Sequence, residues 1–234
     1  MEELRPEYPF YRSSVGGVTF TGGEPTMFAG FVSELARSLS QEGIHLVLET
    51  CGHFNLEGDL QPSRPSNEGQ RCRTDGLRGP VWDLLSEIDL VLFDVKVFDD
   101  AKHRTLCGTG NSVIKRNIHT LANLANHDEG PAVWPRLPIV PGLTDTVENL
   151  HEWAHFLLES GLSHLTLVPY HNLGESKRAW LGIKPGPEIR TPVNEALEAA
   201  REILARNGIT CYAPGEEDWS TIKRWRHRKN QIAG

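Results

Sequence analysis

Six short runs of β-forming residues alternate with amphipathic stretches along this chain, and that rhythm limits the fold more than any other feature. The runs are Gly17–Phe20, His45–Glu49, Leu90–Asp94, Ala132–Leu137, His164–Val168 and Ile209–Tyr212. Between them, apolar residues at helical spacing predict helices over about 28–42, 112–126, 146–160 and 192–207. In the first of these, Phe31, Leu35 and Leu39 mark the expected apolar face. Gly161 and Gly208 follow two of the helical patterns directly and read as their stops. Near-continuous apolar strands separated by helices call for a parallel sheet covered by helices, because parallel neighbours need a crossover and are buried on both faces. A doubly wound sheet and a full or partial barrel share this pattern, and periodicity does not separate them.

With 234 residues, 38% of them hydrophobic and 24% charged, the chain has the make-up of one globular domain over 1–234. One stretch breaks the rhythm. Residues 55–80 are rich in Gly, Pro, Ser, Asn and Arg, and read as a surface loop or insertion before a short helix near Val81–Glu87. Residues 214–234 form a tail whose run Lys223–Lys229 is basic, but the net charge of -7 gives no global footprint for nucleic acid. That run reads as a solvated terminus. No stretch reaches the roughly 20 apolar residues that span a bilayer, and no apolar signal core follows Met1, so a cytoplasmic protein without membrane partners is expected. Cys51, Cys72, Cys107 and Cys211 are scattered, without the paired spacing of a zinc site or a disulfide framework.

In parallel α/β folds the working groups collect at the carboxyl ends of the strands. The first strand runs into Thr21-Gly22-Gly23-Glu24-Pro25, where two glycines let backbone approach a ligand, although a tight turn alone would also use them. The second ends in Glu49-Thr50-Cys51-Gly52, a carboxylate and a hydroxyl that suit a cation, a polar ligand or a structural hydrogen bond. Asp94 and Lys96 share one side of the third strand, with Val95 opposite, as a ligand pair or an ion pair. Arg136 and the stiff Pro138–Gly142 turn close the fourth strand, a guanidinium suited to a carboxylate or phosphate. The fifth leads into Pro169-Tyr170-His171-Asn172-Leu173-Gly174, where His171 could meet a ligand or cap the loop.

Taken together these strings resemble the radical S-adenosylmethionine (SAM) enzymes that activate glycyl-radical enzymes, the family of pyruvate formate-lyase activating enzyme. The resemblance rests on Gly16–Pro25, Glu49–Gly52, Leu92–Lys96, His103 with Gly108–Asn111, Pro138–Gly142 and Leu167–Gly174, and extends from about Phe10 to Ile209. It implies a partial (β/α)6 barrel. It also implies that Gly22, Gly23 and Glu24 meet the methionyl amine of S-adenosylmethionine, with Asp94, Val95, Lys96 and His171 contacting the rest of the cofactor. Glu49 and Thr50 match the place of a monovalent cation in the family. Family chemistry uses a 4Fe-4S cluster to cleave S-adenosylmethionine to a 5′-deoxyadenosyl radical, which takes a hydrogen from a glycine of a partner glycyl-radical enzyme. Electrons come from a donor such as flavodoxin or ferredoxin. A radical SAM enzyme with another substrate, or a clusterless chain that binds a partner, are the alternatives.

The resemblance has one gap. The family holds its cluster with a Cys-x3-Cys-x2-Cys triplet in the loop after the first barrel strand, upstream of Gly-Gly-Glu-Pro, and no such triplet occurs here. Neighbouring cysteines are at least 21 residues apart, from Cys51 to Cys72, so they form no substitute run. The expectation is a fragment of a radical SAM domain lacking the first strand and its cluster loop, inactive as it stands, with the strand at Val18 left as an open edge.

Overall fold

The computed structural model describes residues 2–13, 16–56, 77–170 and 194–218. In chain order they form a 3-10 turn at Glu2–Glu7, α1 (Tyr8–Ser13), β1 (Gly17–Phe20), a second 3-10 turn at Pro25–Phe28, α2 (Ala29–Gln41), β2 (His45–Thr50), α3 (Pro80–Leu85), β3 (Leu90–Asp94), α4 (Asp100–Cys107), α5 (Ser112–Asn126), β4 (Ala132–Ile139), α6 (Val147–Glu159), β5 (His164–Pro169), α7 (Asn194–Arg206) and β6 (Thr210–Tyr212). All six expected strands are present, each within a residue or two of its expected ends. The fold class is the expected parallel α/β one.

The chain divides into two compact units, the first drawn from residues 1–93, 112–134 and 218–234, the second from 94–111 and 135–217. In the first unit β1 pairs in parallel with β2, Gly17 facing His45, and β2 with β3, Thr50 facing Phe93. The Ala132 amide donates to the Asp89 carbonyl at 2.9 Å, which sets the start of β4 beside β3. Among the described strands β1 has β2 as its only neighbour, so its other edge is open. Leu39, Leu46, Leu48, Leu85, Ile118 and Leu121 are buried here. They come from every second residue of β2 and from one stripe of each helix, as a half-covered strand and amphipathic helices require.

The buried stripe of α2 is only partly the expected one, sharing Leu39 with it. Val32, Ala36 and Leu39 face inward, whereas Phe31 is 71% exposed and Leu35 is half-buried. Both sets have helical spacing, and periodicity gives the period of a face without its phase when small residues such as Ala36 share the stripe.

In the second unit β4 pairs with β5, Arg136 facing Thr166, and β5 with β6, His164 facing Thr210, again in parallel. The Val95 amide donates to the Arg136 carbonyl at 2.9 Å, joining the end of β3 to β4. Leu137, Ile139, Leu150, Trp153, Leu157 and Leu165 are buried. Gly161 and Gly208, at φ 78° and 88°, end α6 and α7 as their positions implied. Helix α4 has no counterpart in the periodicity, because His103 is its one buried residue. Its signals are at the ends: Asp99 accepts from the Lys102 amide at 2.7 Å and Gly108 closes the helix at φ 80°.

Among the described residues no helix is long and apolar enough to cross a membrane. His171 and the string to Gly174, Cys72, residues 57–76 of the expected loop and the basic run at 223–229 lie outside the described residues.

Candidate cofactor-binding site

The first unit brings together the turn after β1 and the end of β2. Gly22 has φ +122°, a conformation that side chains rarely adopt, and a Cβ added at Gly22 or Gly23 would have no atom within 4 Å. Two consecutive residues therefore present bare backbone to open space. Both ends of this turn are tied to β2. Thr21 Oγ1 donates to Glu49 Oε2 at 3.0 Å, and Glu24 crosses to Thr50 and Cys51.

Glu24 is the hub of that crossing. Its Oε1 accepts from Thr26 Oγ1 at 2.6 Å, from the Thr26 amide at 3.2 Å and from Thr50 Oγ1 at 2.8 Å, while Oε2 accepts from the Cys51 amide at 3.0 Å. Burial pushes the carboxyl up, but the hydrogen bonds from Thr26, Cys51 and Thr50 together outweigh it and hold Glu24 below its ordinary value of 4.5. A carboxylate whose folded-state pKa is depressed contributes stability that is fully present above its unfolded value and is lost as pH falls through the folded one. Urea midpoints measured at about pH 6 and pH 3 should therefore fall less for Glu24→Gln than for the wild type, and equal falls would show that the carboxylate is not held this way.

Thr50, which the resemblance offers to a cation, is 2% exposed, gives its proton to Glu24 and accepts from the Gly52 amide at 3.0 Å. Gly52 itself is locked. Its φ is +78°, and an added Cβ would lie 2.6 Å from the Phe93 ring. Asn117 on α5 donates to the Gly52 and Phe54 carbonyls at 2.9 and 2.7 Å, a buried contact that spacing could not have revealed.

In the second unit Asp94 is paired with Arg136, not with Lys96. The guanidinium places Nε at 3.0 Å and Nη2 at 2.9 Å from Asp94 Oδ1, which fixes the carboxylate at the end of β3. Lys96 is held through its backbone: its carbonyl accepts from Asn149 Nδ2 at 3.1 Å and from Trp153 Nε1 at 3.0 Å. Asn149 also accepts from the Phe98 amide at 2.7 Å and donates to the Thr144 carbonyl at 2.8 Å. The matched string around His103 is structural. His103 Nδ1 bonds the Thr109 carbonyl at 2.7 Å, and Asn111 Nδ2 donates to the Val97 and Phe98 carbonyls at 2.8 and 2.7 Å.

Open backbone at Gly22-Gly23 fits a ligand that brings its own polar atoms, as the methionyl end of S-adenosylmethionine does. A 4Fe-4S cluster does not fit the described residues. No group of three or more His, Cys, Asp or Glu among them could hold a metal ion. Among the described residues no disulfide joins Cys51, Cys107 or Cys211, and burial pushes the Cys211 thiol up to about 11, against a smaller opposing pull from Arg201. At neutral pH Cys211 is thus a thiol, where iron takes a thiolate.

Two solved structures carry the same fold. A domain of a pyruvate-formate lyase-activating enzyme from Bacteroides vulgatus superposes with a TM-score of 0.60 at 24% identity, covering 86% of this chain and 99% of that one. A radical SAM methyltransferase from Sphaerobacter thermophilus gives 0.54 at 18% identity, over 84% of this chain and 50% of that one. The chain shares its fold with both of these structures. No family model matches the chain.

Sequence relatives narrow the class. The pyruvate formate-lyase 1-activating enzyme of Escherichia coli is 32% identical over 215 residues, 89% of this chain and 77% of that protein. The 4-hydroxyphenylacetate decarboxylase activating enzyme of Clostridioides difficile is 32% identical over 204 residues, 87% of this chain and 57% of its own length. This chain belongs to the family of glycyl-radical-enzyme activating enzymes. It spans little more than half the length of the Clostridioides difficile relative.

Proposed function

We propose that the chain binds S-adenosylmethionine at the carboxyl ends of its strands, as the cofactor-binding body of an activating enzyme for a glycyl-radical enzyme. The observation that carries this reading is the Gly22-Gly23 turn, with exposed backbone, no described atom within 4 Å of where a side chain would begin, and both ends fastened to β2. Its carbonyl oxygens are suited to accept from the methionyl amine. Glu24 accepts its four hydrogen bonds from Thr26, Thr50 and Cys51, so it serves the amine by fixing this backbone. Asp94, held by Arg136, offers a carboxylate of set orientation, and Val95 and Lys96 continue the same strand end. His171 completes the set by resemblance. When bound and reduced by one electron, S-adenosylmethionine supplies the 5′-deoxyadenosyl radical that takes hydrogen from a partner's glycine.

The 4Fe-4S cluster of the family, an electron donor such as flavodoxin or ferredoxin, and a reducing cytoplasmic setting belong to the same reading. Glu49 is the carboxylate that a monovalent cation would meet at the end of β2; the Thr50 hydroxyl beside it is already engaged.

Gly22→Ala tests the reading. The new methyl meets no protein atom but occupies the space assigned to the ligand, and at φ +122° it strains the turn. Isothermal titration of the purified chain with S-adenosylmethionine should show affinity falling by at least about tenfold, with a stability cost of only about 1–2 kcal/mol from the backbone conformation. Wild-type affinity in the variant would move the ligand elsewhere.

A further inference from the structure

We propose that Thr50 is a positioning residue for cofactor binding: its buried hydroxyl fastens the Gly22-Gly23 turn to the end of β2 through the Glu24 carboxylate. The inference rests on the cofactor reading above, and deepens it by naming what shapes the turn.

A threonine hydroxyl has one proton to give and two lone pairs to receive. Thr50 gives its proton to Glu24 Oε1 at 2.8 Å and receives the Gly52 amide at 3.0 Å. It is therefore a link between two turns, the one after β1 and the one after β2, made by a residue that is buried. Such a link is worth more than its exposed counterpart. The Thr21–Glu49 bond at the other end of the Gly22-Gly23 turn is exposed, so water competes for both of its groups. Both kinds end on a carboxylate, but the Glu24 bonds are part-buried and meet less competition from water, which makes them the stronger.

The turn needs this tie because two consecutive glycines have no side chains to pack and more backbone freedom than any other pair. Glu24 is the first residue after them with a side chain, and its backbone is extended at φ -103°, ψ 105°. Fixing that carboxylate fixes where the glycine carbonyls point. The far side of the link is rigid in turn: Gly52 sits against Phe93 and Ile114, and Asn117 holds its carbonyl. From Asn117 on α5 through Gly52, Thr50 and Glu24 runs one chain of contacts to the open turn.

A cation-ligand role for Thr50 makes a different prediction, which the test separates. Titrations with S-adenosylmethionine are run on the wild-type chain, T50V and T50S, each in potassium and in tetramethylammonium buffer. T50V keeps the shape and loses the hydroxyl. It should bind about tenfold more weakly, the loss of one charge-assisted hydrogen bond, while T50S stays within about threefold of wild type. Both effects should be the same in the two buffers. Amide spectra of T50V should differ from wild type around residues 20–26 and 49–54 and match elsewhere. If T50V does not fold, T50A set against T50S makes the same comparison, since those two differ by the hydroxyl alone.

Wild-type affinity in T50V, or in T50A where that replaces it, overturns the positioning role and leaves the cofactor reading standing. An equal loss in T50S assigns the effect to the methyl group, and a loss confined to potassium assigns it to a cation; either overturns the inference. Failure of the wild-type chain to bind overturns the cofactor reading and the inference together.

Discussion

Trp153→Ala should lower the stability of the chain by about 3–5 kcal/mol, the range for emptying a buried tryptophan site. Trp153 on α6 is 1% exposed and packs edge-on against Phe98 and Phe156, with ring centroids 5.0 and 5.8 Å away. The aromatic contacts add to the area buried, and the indole N–H also satisfies the Lys96 carbonyl. Removing the ring thus opens a cavity and loosens the backbone just past Asp94 in one step. Trp153→Phe separates the two. It keeps most of the packing and loses only the N–H, and because Asn149 also donates to the Lys96 carbonyl the expected cost is about 0.5–1.5 kcal/mol. Urea unfolding followed by far-ultraviolet circular dichroism measures both. A cost under about 1 kcal/mol for the alanine variant would mean that the ring is not packed as described.

Gly52→Ala is expected to be nearly as damaging, by a different route. At φ +78° any side chain costs about 1–2 kcal/mol, and a methyl 2.6 Å from a Phe93 ring that is itself fully buried adds roughly 1–3 kcal/mol of overpacking. The sum is about 2–5 kcal/mol, read as a drop in urea midpoint. Gly22→Ala has the same left-handed problem without the clash, so the two alanine variants should separate cleanly: Gly52→Ala loses stability, Gly22→Ala loses ligand. Similar stability losses in both would refute the assignment of Gly22 to open space. Because the Gly52 amide donates to the Thr50 hydroxyl that bonds Glu24, the Gly52 variant should lose ligand affinity as a secondary effect.

The family's strings divide into those that present groups to a ligand and those that hold the presenting groups in place. On the proposed reading Gly22-Gly23 belongs to the first kind. His103 and Gly108–Asn111 belong to the second, because their side chains and carbonyls bond to one another and to the backbone after β3. An added Cβ at Gly110 would meet Asp100 and Arg104 at 2.5 Å, which explains a glycine there without a ligand. The Pro138–Gly142 turn is likewise fastened: Thr144 Oγ1 bonds the Pro138 carbonyl, and Asp145 accepts from the Gly142 amide at 2.7 Å.

What the sequence determined by itself was whatever depends on neighbours along the chain. The six strands and the four long helices follow from local apolar period and local turn residues, and the string Thr21–Pro25 carries the family likeness within a single loop. Tertiary structure decided the pairings between distant residues and the phase of each buried face. Asp94 takes Arg136, 42 residues away, and not Lys96, because β3 and β4 lie side by side. Glu24 and Thr50, 26 residues apart, meet because β1 and β2 are parallel neighbours, so residues just past their ends share one edge. On α2 the stripe through Val32, Ala36 and Leu39 is buried instead of the one through Phe31, since a helix with apolar residues on two sides turns toward whichever side its neighbours can cover. A hydrogen bond or a buried face is a property of two segments at once, and one segment's spacing holds only half of it.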